Sequence, residues 1–235
     1  MKVLALDTSA RDFSVALLDN QQILDEHPAT SGMSASRELI PTIQRMLQKF
    51  QWQVSDLELI SLPIGPGSFS GLRIGVVVAK TLAYARSIPV IGVNTLEVVA
   101  SQCVVDAMTL GLGNISAAID AQRKELFVQT FQVKLSHELR PINEVEIISQ
   151  SAFAAGVQPN CLFTGEGLTA IIDELADRKP LMAPESKWRC TAAAAGILGL
   201  KKYLLERNVD FWSLQPNYYR TSAAEEKRIE RSARR

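Results

Sequence analysis

One strand–Asp–turn–strand unit occurs twice in this 235-residue chain, and that recurrence restricts the fold more than any other feature. In "VLALDTSARDFSVALL" an apolar run ends on Asp7, and Val15 lies in the return strand. In "SAAIDAQRKELFVQTF" a second apolar run ends on Asp120, and Val128 lies in its return strand. Each valine follows its aspartate by eight residues, and each turn carries an arginine, Arg11 or Arg123. The aspartates are 113 positions apart, close to half the chain. A chain that repeats its opening hairpin midway is expected to hold two similar halves. In the first half, Asp19 and Asn20 turn the chain again, and Ile23 and Leu24 start a third strand of a meander.

Between the hairpins, helical and extended patterns alternate. Residues 35–50 place Leu39, Ile43, Met46, Leu47 and Phe50 on one face at spacings of three and four, with Pro41 near the first turn. Residues 57–65 read as a buried strand, and a glycine-rich loop leads into a helix that runs to Ser87. Another strand covers 88–94, and a helix follows from Thr95 to about Met108. The second half adds extended segments at 144–150 and 161–164, a helix over 168–177 and an Ala/Leu-rich helix over 190–206. This alternation gives an α/β fold with two subdomains facing each other over a cleft. The expected divisions are 1–107, 108–215 and a C-terminal segment, 216–235, whose charged end lacks an apolar stripe and should be frayed.

The formal net charge is zero, so no global field draws the chain to nucleic acid, and a partner would carry most contacts to RNA phosphates. Cys103, Cys161 and Cys190 are odd in number and widely spaced, which fits a reducing cytoplasm. The opening residues are too short for a signal peptide, and no charge-free apolar run approaches about 18 residues, so no membrane span is expected. The two histidines, His27 and His137, are 110 positions apart, which argues against a zinc site. No Gly-x-Ser-x-Gly elbow occurs, and neither histidine can be tied to a serine nucleophile. His27, beside Pro28, reads as a surface residue.

"IGPGSFSGLRIG", residues 64–75, has the build of a phosphate loop. Gly65, Gly67 and Gly71 permit positive φ and close approach, and Ser68 or Ser70 can cap the helix behind them. It is neither a Walker A nor a Gly-x-Gly-x-x-Gly loop. It is either a tight turn that binds nothing or an anion site at a helix N-terminus. On the helix, Arg73, Lys80, Tyr84 and Ser87 form a thin polar stripe. Ile74, Val77, Val78 and Leu82 lie on one flank, and Gly71, Gly75, Ala79 and Ala83 on the other. A helix apolar on two sides needs two covers. Its own sheet supplies one; helix 35–50 or a partner chain supplies the other. Asp7 and Asp120 are likewise open to two readings, a carboxylate pair across the cleft or two independent turn caps.

In order and spacing, "VLALDTS", "GPGSFSGLRIG", "IGVNTLE", "AAIDAQRKELF" and "PNYYR" resemble the TsaB (YeaZ) family over nearly the whole chain. Two departures stand out: Tyr218-Tyr219-Arg220 replaces the family's Tyr-Leu-Arg, and Ala35 stands where a histidine is frequent. The resemblance implies two RNase H-like subdomains of the actin, Hsp70 and sugar-kinase (ASKHA) type. It implies a cytoplasmic, non-catalytic subunit that pairs with a TsaD-type enzyme, joined by a TsaE-type ATPase. That complex threonylcarbamoylates the adenosine beside the anticodon in ANN-decoding tRNAs, and tRNA is reached only through it. Alone, such a chain is expected to form a weak homodimer. TsaD-type relatives hold a catalytic metal on histidines after a strand; Asn94, Thr95 and Val99 occupy those places here. The resemblance therefore implies no catalytic residue, no metal and no cofactor beyond weak adenine-nucleotide binding.

The same resemblance implies a partner interface on Leu39, Ile43, Met46, Leu47, Leu72, Gly75, Val76, Ala79 and Ala83. A remnant nucleotide site would use Asp7, Thr8, Ser9, Gly67 and Ser68, with Gly165 and Gly167 near an adenosine. Two alternatives belong to other classes. A stand-alone ATPase or kinase of this fold needs a glycine-rich phosphate hairpin at the first strand, and "DTSARDFS" has no glycine. A peptidase needs a nucleophile–base pair or a metal, which two separated histidines do not supply.

Overall fold

A computed structural model describes residues 1–27, 35–175, 178, 180–207 and 210–220. The first half contributes β1 (Lys2–Asp7), β2 (Ser14–Asp19), β3 (Gln22–His27), α1 (Ala35–Lys49), β4 (Leu59–Gly65), α2 (Phe69–Arg86) and β5 (Val90–Asn94). Its sheet has the order β3-β2-β1-β4-β5. The β1–β2–β3 meander is antiparallel, and β4 and β5 run parallel to β1. After α3 (Thr95–Ser101) and α4 (Val104–Thr109) the plan repeats. β6 (Asn114–Asp120) pairs antiparallel with β7 (Glu125–Val133), and β8 (Leu139–Pro141) and β9 (Glu146–Ser149) both pair with β7. β10 (Cys161–Thr164) and β11 (Leu181–Met182) extend β6 in parallel. The second order, β11-β10-β6-β7-β8, mirrors the first with β6 in the place of β1. The fold is thus α/β, two mixed sheets of matching strand order flanked by helices, the architecture expected of two RNase H-like subdomains of ASKHA type.

The duplicated hairpins differ by one residue in register. Leu6 faces Val15 in the first, whereas Ile119 faces Phe127 in the second. Asp7 pairs with Ser14, but Asp120 pairs with Leu126, so the second turn is one residue shorter. Val128 therefore matches Val15 in sequence spacing and not in the sheet.

β1 and β2 are apolar on both faces because both faces are covered. On one face Leu4, Leu6, Val15 and Leu17 meet α1 and α2 through Leu39, Ile43, Met46, Val76 and Ala79. On the other, Val3, Ala5, Ala16 and Leu18 meet α7 (Ala192–Leu205). Its small residues let α7 lie close: a Cβ at Gly199 would come within 2.0 Å of Ser61 Oγ. Ser61 Oγ donates to the Ala195 carbonyl at 2.7 Å across this contact.

Helix packing departs from the expected divisions. Leu96, Val99, Ala100, Cys103, Val104 and Ala107, placed with the first subdomain at 1–107, belong to the core of the second sheet. Conversely α7, placed within 108–215, packs on the first sheet. The two halves exchange a helix layer. The helix expected over 95–108 breaks at Gln102–Cys103, where α3 ends and α4 begins. The helix expected over 168–177 opens as a 3-10 segment, Glu166–Ile171, and is α-helical over Ile172–Leu175 (α6). The short α5 (Gln150–Ala155), capped by Ser149 Oγ, begins at the last residue of the segment expected to be extended. The charged end beyond residue 220 lies outside the described residues.

Candidate functional site

The glycine loop is packed against the chain's own first turn. Ser68 N–H donates to the Ser9 carbonyl at 2.6 Å, and Ser68 Oγ caps α2 by accepting from Gly71 N–H. A Cβ at Gly67 would sit 2.3 Å from the Ser9 carbonyl oxygen, and one at Gly71 2.0 Å from that of Thr8. At Gly75 the neighbour is Thr8 Oγ1, at 2.4 Å. These glycines admit residues 8–9 rather than leaving a bare cradle. The second half repeats the device: Gly165, at φ +109°, and Gly167 hold their loop against Ala118 at the end of β6.

The two aspartates do the same local job in different surroundings. Asp7 Oδ1 accepts from Ser9 N–H at 2.9 Å and Ser9 Oγ at 2.7 Å. Asp120 Oδ1 accepts from Gln122 N–H at 2.8 Å, and its Oδ2 from Gln122 Nε2 at 2.7 Å. Both carboxylates thus cap a turn two residues on. Asp120 is exposed, but Asp7 is only 3% exposed. Burial pushes the Asp7 carboxyl up to about 6, opposed by the Ser9 and Cys190 hydrogen bonds and aided by the nearby charge of Glu166. Burial also raises Glu166, with Arg189 pulling it down and Asp120 and Asp12 pushing it further up. Desolvation and the nearby Asp7 carboxylate hold the partly buried Cys190 thiol well above the ordinary range.

Between the subdomains lies a cleft of about 1000 Å³. Ser9, Gly67 and Ser68 line one wall; Asp120, Gln122, Arg123 and Glu166 line the other. Of the expected nucleotide remnant, Asp7 and Thr8 are buried and, with Gly165 and Gly167, are not among the lining residues. The far wall has an unusual backbone. Gln122, Arg123 and Lys124 have φ of 64°, 57° and 62°, three consecutive left-handed residues without a glycine. Each costs about 1–2 kcal/mol relative to a right-handed residue, so the surroundings must hold the turn in place.

Residues 210–220 form an irregular strap: a turn over 211–213 leads into a segment whose end, Asn217 to Arg220, lines this cleft. On the first subdomain, Lys80 Nζ donates to the Trp212 and Leu214 carbonyls, and Asn217 N–H to that of Ile64 at 2.7 Å. The Tyr218 ring lies 4.6 Å from that of Phe69 and its hydroxyl accepts from Arg73 Nε at 2.8 Å, while the Arg73 guanidinium covers Phe69 at 3.9 Å. One residue later Tyr219 faces Phe127 on the second subdomain, and Arg220 donates to the Ala121 carbonyl and the Glu125 carboxylate. The α2 stripe read as polar is thus partly the seat of this strap, which carries no periodicity in the sequence.

The nine residues expected at a partner interface face inward. Leu39, Ile43, Met46 and Leu47 of α1, and Leu72, Gly75, Val76, Ala79 and Ala83 of α2, are all buried in the chain's own core. The correction follows from the sheet, which takes the small-residue flank of α2 as well as α1's apolar face. The outward face of α2 is Arg73, Val77, Thr81 and Tyr84, with Val77 62% and Tyr84 71% exposed. On α1 the exposed apolar residue is Ile40. His27, expected at the surface, is half-buried, and its Nε2 has no hydrogen-bond partner among the described residues.

Asn94, Thr95 and Val99, where the sequence resemblance implies lost metal ligands, have structural roles. Asn94 caps α3, its Oδ1 accepting from Leu96 and Glu97 N–H, and its Nδ2 donates to Gln129 Oε1. Thr95 and Val99 are buried. Among the described residues no group of three His, Cys, Asp or Glu side chains converges as a metal site.

Residues 26–154 match a family model described as TsaD: tRNA N6-adenosine threonylcarbamoyltransferase. The chain is 28% identical to the tRNA threonylcarbamoyladenosine biosynthesis protein TsaB of Bacillus subtilis, over 98% of this chain and 99% of that one. It is 32% identical to the TsaB of Escherichia coli over 56% of this chain, and the match spans 55% of that protein. The solved structure of YeaZ from Pseudomonas aeruginosa superposes with a TM-score of 0.77 at 25% identity, covering 92% of this chain and 99% of that one.

Proposed function

The chain belongs to the TsaB (YeaZ) family within the TsaD-type group, and from that premise we propose that it is a non-catalytic scaffold for tRNA threonylcarbamoylation. In this reading it acts in the cytoplasm and docks a TsaD-type enzyme, joined by a TsaE-type ATPase, and reaches tRNA only through that complex. Without the partner it pairs weakly with itself through the same surface. The observation that carries the reading is the outward stripe of α2, where Val77 and Tyr84 stand exposed on a helix already packed against its sheet and α1. Exposed apolar side chains at helical spacing fit a second helix laid alongside. The non-catalytic part rests on Asn94, Thr95 and Val99, which cap and pack and cannot replace a set of histidine ligands. Closure of the glycine loop by Thr8 and Ser9 argues against tight nucleotide binding, and leaves at most weak adenine-nucleotide contact with Ser9, Gly67 and Ser68 in the cleft.

Co-purification with the TsaD-type protein of the same organism tests the reading. Val77→Asp and Tyr84→Ala should fold normally and weaken the complex about thirtyfold, as loss of a buried anchor does. Wild-type retention by both variants would overturn the α2 surface. Isolated protein should hydrolyse ATP no faster than buffer; turnover abolished by Asp7→Ala would favour the kinase-like alternative.

A further inference from the structure

We propose that Arg220 staples the left-handed turn of the cleft wall and that the strap carrying it links this wall to the N-terminal end of α2. The guanidinium reaches both sides of the three left-handed residues. One nitrogen donates to the carbonyl of Ala121, just before Gln122, and another to the carboxylate of Glu125, just after Lys124. Within the turn, Ala121 N–H donates to the Glu125 carbonyl at 2.9 Å and Glu125 N–H to that of Gln122 at 3.0 Å. Asp120 holds Gln122 from one side, and Gln150 N–H bonds the Lys124 carbonyl from the other. These are contacts within the second subdomain. Arg220 brings a contact to the turn from the strap.

The strap is itself fixed to the first subdomain. Tyr218 reaches Phe69 and Arg73 at the start of α2, and Tyr219, at a bend in the strap, reaches Phe127 across the cleft. Three residues, Tyr218 to Arg220, therefore span the path from α2 to the turn that presents Gln122 and Arg123 to the cleft. A strained turn persists when its surroundings over-determine it, and removing one restraint frees it to relax. Arg220 is thus a positioning residue for the cleft wall, and a perturbation at the N-terminal end of α2 is felt there. The inference holds whichever chain docks on α2.

Amide hydrogen exchange on the full chain tests both parts. Arg220→Ala should speed exchange of the Ala121 and Glu125 amides about tenfold, the loss expected for a hydrogen bond to a charged group. Arg73→Ala, in the other subdomain, should speed the same amides while those of β1 and β4 keep their wild-type rates. Wild-type rates at Ala121 and Glu125 in Arg220→Ala would overturn the staple. Acceleration in Arg220→Ala but not in Arg73→Ala would overturn the link. Acceleration of β1 and β4 equal to that of the turn would also count against it, since it reports global loss of stability. If Arg220→Ala does not fold, Glu125→Gln removes the same ion pair from its half-exposed side, and the same local acceleration is expected.

Discussion

Replacing Asp7 by asparagine should stabilise this protein at neutral pH and leave it unchanged in acid. Burial raises the native carboxyl from 3.8 to about 6. A rise of about two units corresponds to about 3 kcal/mol. The native state holds this proton more tightly than the unfolded chain does. The stability it contributes is complete below about pH 4 and is lost as pH rises through about 6. At pH 7.5 the ionised, buried carboxylate opposes folding by that amount. Asparagine keeps an Oδ1 acceptor for Ser9 N–H and Oγ, and removes the charge. Urea unfolding at a series of pH values measures the difference directly. Asp7→Asn should gain about 3 kcal/mol at pH 7.5, or about 6–12 °C in midpoint temperature for a chain of this size, and nothing at pH 4. A loss of stability at pH 7.5, or a gain equal at both pH values, would refute the argument from burial.

Two further substitutions probe the packing around this turn. Gly71→Ala, which on helix propensity alone would gain about 1 kcal/mol, should instead lose about 2 kcal/mol in denaturant melts, because its Cβ would lie 2.0 Å from the Thr8 carbonyl oxygen. Ser61→Ala should lower the unfolding free energy by about 1 kcal/mol, since it removes the hydrogen bond that Ser61 Oγ adds to the Ala195 carbonyl of α7; an unchanged midpoint would mean that this bond between α7 and β4 carries no weight.

The hairpin duplication was legible because turn chemistry and apolar alternation mark the ends of strands at Asp7 and Asp120. Its register was not, since a turn one residue shorter leaves the alternation intact and changes only which residues face each other. The existence of α1 and α2 was clear from periodicity. The orientation of α2 was hidden because both flanks are apolar, and nothing in the pattern says that the sheet takes Gly75, Val76 and Ala79 while Val77 looks out. The glycine loop was recognisable as a close approach of backbone, yet not whether ligand or protein approaches; Thr8 and Ser9 do. The strap escaped because an irregular segment fixed by single contacts from Tyr218, Tyr219 and Arg220 has no period to detect.

The exchange of helix layers has a consequence for synthesis on the ribosome. The first sheet is complete once β5 has emerged, yet the face formed by Val3, Ala5, Ala16 and Leu18 receives its cover only from α7, a hundred residues later. At about 5–20 residues per second that face stays bare for several seconds. The N-terminal half therefore cannot finish folding while it is being made. It must wait for nearly the whole chain, and nascent-chain binding factors have that interval in which to act on it.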